Sequence, residues 1–483
     1  MNSLNKNKAV ALYETRLRVG YVVTTLVCYI VALLLWYVLC VITPYMDSVT
    51  VSAENSARVT RVALSATTEQ QAASESEKER AALLPTSERS FLLRLNLIES
   101  AQKSIDHMVY DTYEEPYSIY YYTALARAAD RGVKVRIILD GKMGRLSGDL
   151  SKIGKIVSSH DNIELYYFNG INLWKPAGLM VLMHDKVTII DCEKLLVGGV
   201  NMGSSAYLYN YDMEVLISNS GERGSAGQAA QYFERMKNSE FCKRSTAKSF
   251  DRAAKAEYEK RFEEFYGKSE LAAAEMDYSQ TGVPIDKCTF LTNEITGGKK
   301  EPIILQALFN LAEGSKKSKW VTPYALLTDK KIKRLREIAQ ASDEFELVTN
   351  SLYNTRNVAY AKYYFSRRDF VSDSIALWEF QADNQLHAKI YTFDGRYSVI
   401  GSFNLDERSA HIDTEAVLVI DSPAFTAVVD EYINYEFINN SLRVGSDNGY
   451  MPSENGVVAG KVSGGKTFKY LLYGMLGCVV NLI

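Results

Sequence analysis

The 483-residue chain has six cysteines and no CxxC pair, so neither a disulfide scaffold nor a cysteine-ligated zinc or redox centre is expected. It also lacks an excess of positive charge: 55 Lys and Arg stand against 58 Asp and Glu, a formal net charge of −3. Neutralising phosphates dominates nucleic-acid affinity, so a dedicated binder ordinarily carries a basic excess, and no nucleic-acid partner is expected. Only one long apolar run is present, which excludes a polytopic membrane protein. At 47% hydrophobic and 23% charged residues, wholesale disorder is excluded as well. What is abundant is tyrosine, 32 residues, suited to surfaces apolar on one side and wet on the other. At roughly 150 residues per domain the length allows about three domains.

The one apolar run covers residues 19–46, which carry no charge, and residues 21–43 are almost entirely apolar. About 20 such residues span a bilayer. Trp36, Tyr37 and Tyr45 sit toward its far end, as interfacial aromatics do. Lys6, Lys8, Arg16 and Arg18 precede the run, and only Arg58 and Arg61 follow nearby. The positive-inside rule then gives a single-pass anchor in the cell membrane, N-terminus cytoplasmic, with the remainder extracytoplasmic. A signal peptide cleaved near residues 51–53 is the competing reading, but the run exceeds the usual h-region of roughly 7–15 residues. Cys192, Cys242, Cys288 and Cys478 show no evident pairing, which suits a reducing compartment and leaves a cytoplasmic catalytic domain open.

Beyond the anchor, helical and strand patterns alternate, which implies α/β layering. VKVRIIL (133–139) reads as a buried strand ending in the turn pair Asp140-Gly141. The same order of elements returns later in the chain, so the folded part is two domain-sized halves. The expected organisation is a cytoplasmic N-terminus (1–19), an anchor (20–45), a stalk (46–90), a first lobe (91–242), a charged helical insert (243–285), a second lobe (286–445), and a linker with an apolar tail (446–483).

The duplication is sharpest in two segments. HDKVTIIDCEKLLVGGVN (184–201) and HAKIYTFDGRYSVIGSFN (387–404) both follow H-x-K-x4-D-x6-G-(G/S)-x-N. His and Lys two apart on a strand project from one face. The Asp falls at a turn, and the returning strand brings the Gly-(Gly/Ser)-x-Asn segment alongside. Glycine permits close approach of the backbone to a ligand. Two such hairpins meeting at a pseudo-twofold axis would surround one phosphate with His184, His387, Lys186, Lys389, Asn201 and Asn404, with Gly199 and Ser402 beside it. The lysines neutralise the oxygens and the asparagines donate hydrogen bonds. One imidazole can attack phosphorus while the other protonates the leaving oxygen, and no metal or other cofactor is needed.

The doubled motif resembles the HKD signature of the phospholipase D superfamily. GGVNMG (198–203) resembles the GGxNxG of bacterial cardiolipin synthases, and SFNLDERSAHIDTE (402–415) resembles the corresponding stretch of the cardiolipin synthase C branch. Thr322-Pro323-Tyr324 and Thr349-Asn350-Ser351-Leu352 with Thr355 point the same way. The resemblance covers residues 91–421. It implies two duplicated α/β/α lobes of phospholipase D type, with one active site formed by both lobes of a monomer, plus the N-terminal transmembrane helix. It also implies that His184 is the nucleophile, that His387 is the general acid and later the base, and that Lys186, Lys389, Asn201 and Asn404 hold the phosphate. The motif aspartates Asp191 and Asp394 complete the signature's catalytic set, although such aspartates are usually structural. A carboxylate downstream of each motif orients a histidine through Nδ1. Glu415 fits in the second half. In the first, Asp212 and Glu214 both fit, and strand alternation favours Glu214. The implied function is a phosphatidyltransferase acting on phospholipids at a membrane, with a phospholipase D-type hydrolase or a nuclease of the same superfamily as alternatives. Two positions depart from the family pattern: Asp413 replaces the asparagine of its NTE triplet, and Glu407 replaces a proline.

Weaker signals remain. GKVSGGKT (460–467) fits a phosphate-binding loop pattern but lacks a nucleotide domain behind it, and reads as a linker. The tail 468–483 either packs on the domain or lies in the membrane interface. The tyrosines at 110, 113, 117 and 120–122 either line an entrance to the site or fill core. Trp174 and the apolar run 177–183 lead into His184 and are expected to flank it.

Overall fold

The computed structural model describes residues 2–42, 49–64, 78–272, 274, 276–357, 360–371, 374–453 and 455–475. Short aliphatic, β-branched runs become the buried centres of two large mixed sheets. The first contains β1 (Arg80–Pro85), β2 (Ser104–Val109), β3 (Lys134–Asp140), β4 (Ile163–Phe168), β5 (Lys186–Ile190), β6 (Lys194–Gly198), β7 (Met213–Ser218), β8 (Cys242–Ser245) and β9 (Val283–Pro284). Their order across the sheet is β8-β4-β3-β2-β5-β6-β7-β1-β9. The second is built from β10 (Lys287–Thr292), β11 (Lys317–Val321), β13 (Glu344–Asn350), β14 (Ala376–Phe380), β15 (Ile390–Phe393), β16 (Tyr397–Gly401), β18 (Ala416–Asp421) and β19 (Ser441–Arg443), while β12 (Ala325–Leu326) and β17 (Leu405–Asp406) form a separate small ribbon. The second sheet runs β10-β18-β16-β15-β11-β13-β14-β19. Read from the opposite edge, this is the order of the first sheet without β9, so the duplication extends from the motif to the topology.

In each lobe the centre of the sheet is parallel where helices cross over and antiparallel where the motif hairpin enters. Helices Glu88–Glu99, Pro116–Asp130 and Ser151–Ser159 cover the outer face of the first sheet. Ile303–Glu313, Asp329–Ala341 and Tyr360–Phe370 do the same for the second. The inner faces share one core: Met108, Val187, Val197 and Val215 of the first sheet join Val321, Ile390, Ile400 and Leu418 of the second. Burying both sheets against each other fixes the lobes in one relative position, which a site composed of both requires.

Three expected boundaries move. The first lobe begins before residue 91, because β1 pairs with β7 along its whole length. Part of the expected stalk is also ordered on the fold. Helix Ala53–Leu64 lies on Ile303–Glu313 with Val59 fully buried, and Ser52 N and Asn55 Nδ2 donate to Glu301 Oε2 at 2.8 and 2.9 Å. The charged segment 243–285 is part of the first lobe and no insert. β8 and β9 lie in its sheet, and Arg252–Phe265 buries Ala254, Tyr258 and Phe262 in its outer core. Its high charge marks only the solvent face of an amphipathic helix.

Helix Asn2–Ile42 contains the stretch Tyr21–Cys40, long and apolar enough to cross a membrane and unburied by the rest of the chain. Tyr45 and the end of the expected anchor lie outside the described residues. At the other end, helix Gly464–Met475 docks on Tyr360–Phe370, with Tyr470 buried edge-on against Tyr360. Residues 476–483 of the tail lie outside the described residues. Residues 457–463 form neither helix nor strand, so the glycine-lysine pattern lacks the strand a phosphate-binding loop needs.

Candidate active site

The two motif hairpins, β5–β6 and β15–β16, are central in their sheets and bring their histidines to one cavity of about 400 Å³. His184, His387, Asn201 and Asn404 all line it. The approach to each histidine pairs with the other lobe. Met183 bridges Thr414, with His184 N donating to Thr414 O at 3.1 Å. Leu386 bridges Tyr211, with His387 N donating to Tyr211 O at 2.8 Å. Thr414 and Tyr211 each precede a carboxylate, so the bridges carry each histidine to a carboxylate of the opposite lobe. His184 Nδ1 lies 2.9 Å from Glu415 Oε1, and His387 Nδ1 lies 2.6 Å from Asp212 Oδ2. Each Nδ1 is thereby engaged, which assigns the chemistry to Nε2; that of His387 lies 3.2 Å from Lys389 Nζ.

Contrary to expectation, Asp212 and not Glu214 meets a motif histidine. The Glu214 carboxylate is 2% exposed, forms a buried ion pair with Arg94, and meets the Tyr207 hydroxyl at 3.5 Å. Glu214 shares strand β7 with Met213, whereas Asp212 lies just before the strand, where the chain leaves the sheet for the other lobe. The repeat itself carries a signal for Asp212. Glu415 stands 203 positions after it (415 minus 212), the same offset as between the motif histidines (387 minus 184).

Gly199 and Ser402 also differ from expectation. Gly199 N donates to Met213 O at 3.3 Å, and a Cβ at Gly199 would come within 2.5 Å of Asp212 Oδ1. Its bare backbone makes room for the carboxylate behind His387 and contacts no phosphate site. Ser402 is fully buried, its hydroxyl donating to Glu415 Oε2, while Ser409 Oγ donates to Glu415 Oε1 at 2.5 Å. The two equivalent positions therefore serve the two orienting carboxylates.

Asp191 and Asp394 lie outside the cavity. Asp191 accepts from the backbone N–H groups of Gln102, Lys103 and Ser104, and Asp394 from those of Lys316 and Lys317 at 2.8 Å each. Both have positive φ, +56° and +50°, at the hairpin turn. They clamp the turn to the start of the neighbouring strand, so they are structural members of the motif and not catalytic ones.

Lys186 Nζ donates to His184 O at 2.7 Å and lies 4.9 Å from the Tyr110 ring centroid; Lys389 Nζ donates to His387 O. Asn201 Nδ2 donates to Tyr113 Oη at 3.0 Å and Asn404 Nδ2 to Tyr324 Oη at 3.4 Å. The Oδ1 atoms of both asparagines are buried without a partner. Buried polar atoms are ordinarily paired, so a ligand group that donates a hydrogen bond is the natural partner for these oxygens. Of the tyrosine cluster, Tyr110 and Tyr113 line the cavity, with Tyr110 edge-on to His184 at 4.8 Å, whereas Tyr117, Tyr121 and Tyr122 are core. Leu182 lines the cavity, but Trp174 is 94% exposed and stands away from it.

Sequence reading missed Arg408, Tyr324, Asp111 and Lys362, all of which line the cavity. Arg408 forms a two-toothed pair with Asp413 at 3.1 and 2.9 Å and donates to Met180 O at 2.7 Å. Asp413 Oδ1 also accepts from Leu182 N at 3.1 Å. The departure Asp413 thus ties the second lobe to the segment leading into His184.

Burial and the neighbouring Lys186 and Lys389 hold His184 well below the usual imidazole range, and burial with Lys389 lowers His387 to about 4. Burial, then mutual repulsion, lowers Lys186 to about 7; burial lowers Lys389 to about 8. The imidazoles are therefore neutral, as a nucleophile must be, and the ammonium groups are poised to gain from an anion. The charged lysine binds the anion and persists only below its pKa. The expected outcome is that kcat/KM for a phosphodiester anion falls as pH rises through about 7 to 8. Lys186→Arg, which keeps its charge throughout, should move that limb upward in a pH–rate profile. Among the described residues no group of three or more His, Cys, Asp and Glu is placed to hold a metal ion.

Two imidazoles, each backed by a carboxylate and flanked by lysine and asparagine across a pseudo-twofold axis, make a site suited to transfer at a phosphodiester. A family model described as "Cardiolipin synthase, PLD-like domain" matches residues 95–237 and 308–436, more than half of the chain, which belongs to that family and is an enzyme of the phospholipase D superfamily. Cardiolipin synthase C of Escherichia coli is 24% identical over 395 residues, covering 71% of this chain and 81% of that protein. An uncharacterized protein of Helicobacter pylori is 27% identical over 384 residues, covering 70% and 75% respectively. The crystal structure of phosphatidylserine synthase from Haemophilus influenzae superposes with a TM-score of 0.56 at 16% identity, covering 75% of this chain and 87% of that one, a likeness of fold.

Proposed function

We propose that the chain is a membrane-anchored phosphatidyltransferase of the cardiolipin synthase kind, working through a phosphohistidine on His184. The observation that carries this reading is the pair of crossed contacts, His184 with Glu415 and His387 with Asp212, which holds both imidazoles by Nδ1 at one cavity, with Lys389 Nζ 3.2 Å from His387 Nε2. In the first step His184 Nε2 attacks the phosphorus of the donor phospholipid. The P–O bond to the headgroup alcohol breaks, and that oxygen takes a proton from His387 Nε2. In the second step His387 removes the proton from an acceptor hydroxyl, whose oxygen attacks phosphorus as the P–N bond breaks. Burial first, and then repulsion from Lys389, keeps His387 neutral; a diester anion between Lys186 and Lys389 offsets that repulsion, so substrate binding favours the protonated acid the first step needs.

A phosphatidylglycerol acceptor gives cardiolipin, and water gives phosphatidic acid. The match to the cardiolipin synthase family favours lipid. The anchor is helix Asn2–Ile42, and the positive-inside rule puts the lobes on the extracytoplasmic side, testable by labelling Cys192 with an impermeant maleimide in intact cells. Expression in a host lacking its own cardiolipin synthases should produce cardiolipin in the lipid extract. Accumulation of phosphatidic acid alone would assign hydrolysis instead. An unchanged lipid profile, with cleavage of DNA by the purified chain, would overturn the lipid reading.

A further inference from the structure

The segment between β4 and His184 presents large apolar side chains to solvent. Ile171 is 70% exposed, Leu173 64% and Trp174 94%. A soluble surface tolerates scattered apolar residues, but three within four positions, one a nearly bare tryptophan, mark a contact surface. The apolar N-terminal helix identifies what that surface meets. Tyr37 Oη donates to Leu173 O at 3.1 Å, and the turn Pro176–Leu179 lies against the same helix. Tyr37 is three residues from Cys40, where the apolar stretch ends, or roughly 4.5 Å along the axis at 1.5 Å per residue. If that helix spans a bilayer, the loop stands at the level of its headgroup boundary, where tryptophan and tyrosine are favoured.

Charge agrees with this placement. Beneath the loop a cavity of about 740 Å³ is lined by Arg145, Lys175, Lys243 and Arg244, with Glu240 as the acidic member, 3.4 Å from Lys175. Such a rim attracts anionic headgroups. The chain then continues through Met180 and Leu182, which Arg408 and Asp413 hold, to His184.

We infer that residues 171–174 are a membrane-dipping loop that seats the first lobe on an anionic bilayer beside the anchor, so that the loop approaching His184 starts at the lipid surface. This rests on the anchored reading of the N-terminal helix. The test uses the full chain reconstituted into phosphatidylglycerol vesicles whose acyl chains are brominated. A Trp36→Phe/Trp378→Phe background leaves only Trp174 and the fully buried Trp320 as emitters. Brominated chains should quench this protein, and Trp174→Phe should remove most of the quenching. In parallel, Ile171→Ser/Leu173→Ser/Trp174→Ser should lower turnover of vesicle phosphatidylglycerol by about tenfold, the scale of losing interfacial apolar burial, and leave turnover of a short-chain monomeric phosphatidylglycerol unchanged.

A chain that floats with the vesicles but shows equal quenching with and without Trp174 overturns the inference and spares the anchor. A chain that does not float overturns both. Quenching through Trp174 with no turnover of either lipid supports the loop and overturns the phosphatidyltransferase reading.

Discussion

Replacing His184 by alanine is expected to abolish the phosphoenzyme and to lower phosphatidyl transfer by about 10⁵-fold, the scale seen when a nucleophile that forms a covalent intermediate is removed. His184 is 8% exposed, its Nδ1 is occupied by Glu415, and burial between two lysines keeps the ring neutral, so its Nε2 lone pair is free at neutral pH. Rapid quench of the enzyme with donor lipid labelled with 32P should trap radioactive protein from wild type and none from His184→Ala. His387→Ala lacks the acid and base but keeps the nucleophile, so it should still become labelled with a donor bearing a good leaving group, and should lose the label slowly. Label on His184→Ala but not on His387→Ala would exchange the two roles, a result the pseudo-twofold symmetry of the side chains does not by itself forbid.

The second large effect separates two carboxylates two residues apart. Asp212→Asn should reduce kcat by roughly 10²- to 10⁴-fold with little loss of stability, because an amide at 2.6 Å from His387 Nδ1 no longer fixes the tautomer or stabilises the imidazolium. Glu214→Gln should do the reverse. It leaves the Arg94 guanidinium, 3% exposed, without its buried ion, at a cost of roughly 3–5 kcal/mol. Thermal unfolding should show the drop, while kcat of the folded fraction at low temperature stays near wild type. A catalytic loss in Glu214→Gln with Asp212→Asn active would return the orienting role to Glu214.

The confusion of these carboxylates shows where local pattern stops. Alternation along a strand favours Glu214, but Glu214 lies on the outer face of β7, paired with Arg94 in the outer core of its own lobe, while its neighbours Met213 and Val215 face the shared core. Asp212 precedes the strand, so alternation has no hold on it. The motif aspartates were expected in the catalytic set, but Asp191 and Asp394 fall at a hairpin turn, where an aspartate accepts from backbone N–H groups nearby. The expected insert failed for a different reason. Composition reports the solvent face of helix Arg252–Phe265, whereas three buried residues spaced four apart, Ala254, Tyr258 and Phe262, decide where it packs.

By itself the sequence determined the doubled H-x-K motif, the α/β class, the two-lobed architecture and the histidines and asparagines that line the shared cavity. These follow from spacing within a strand or hairpin, which short-range geometry enforces. Only the tertiary structure decided that the histidines exchange carboxylates between lobes. That pairing is made by two isolated bridges, Met183 with Thr414 and Tyr211 with Leu386, and these form because the two sheets bury their inner faces in one core. Residues 231 and 175 positions apart are brought to hydrogen-bonding distance by that burial, and no local periodicity encodes a contact of such separation.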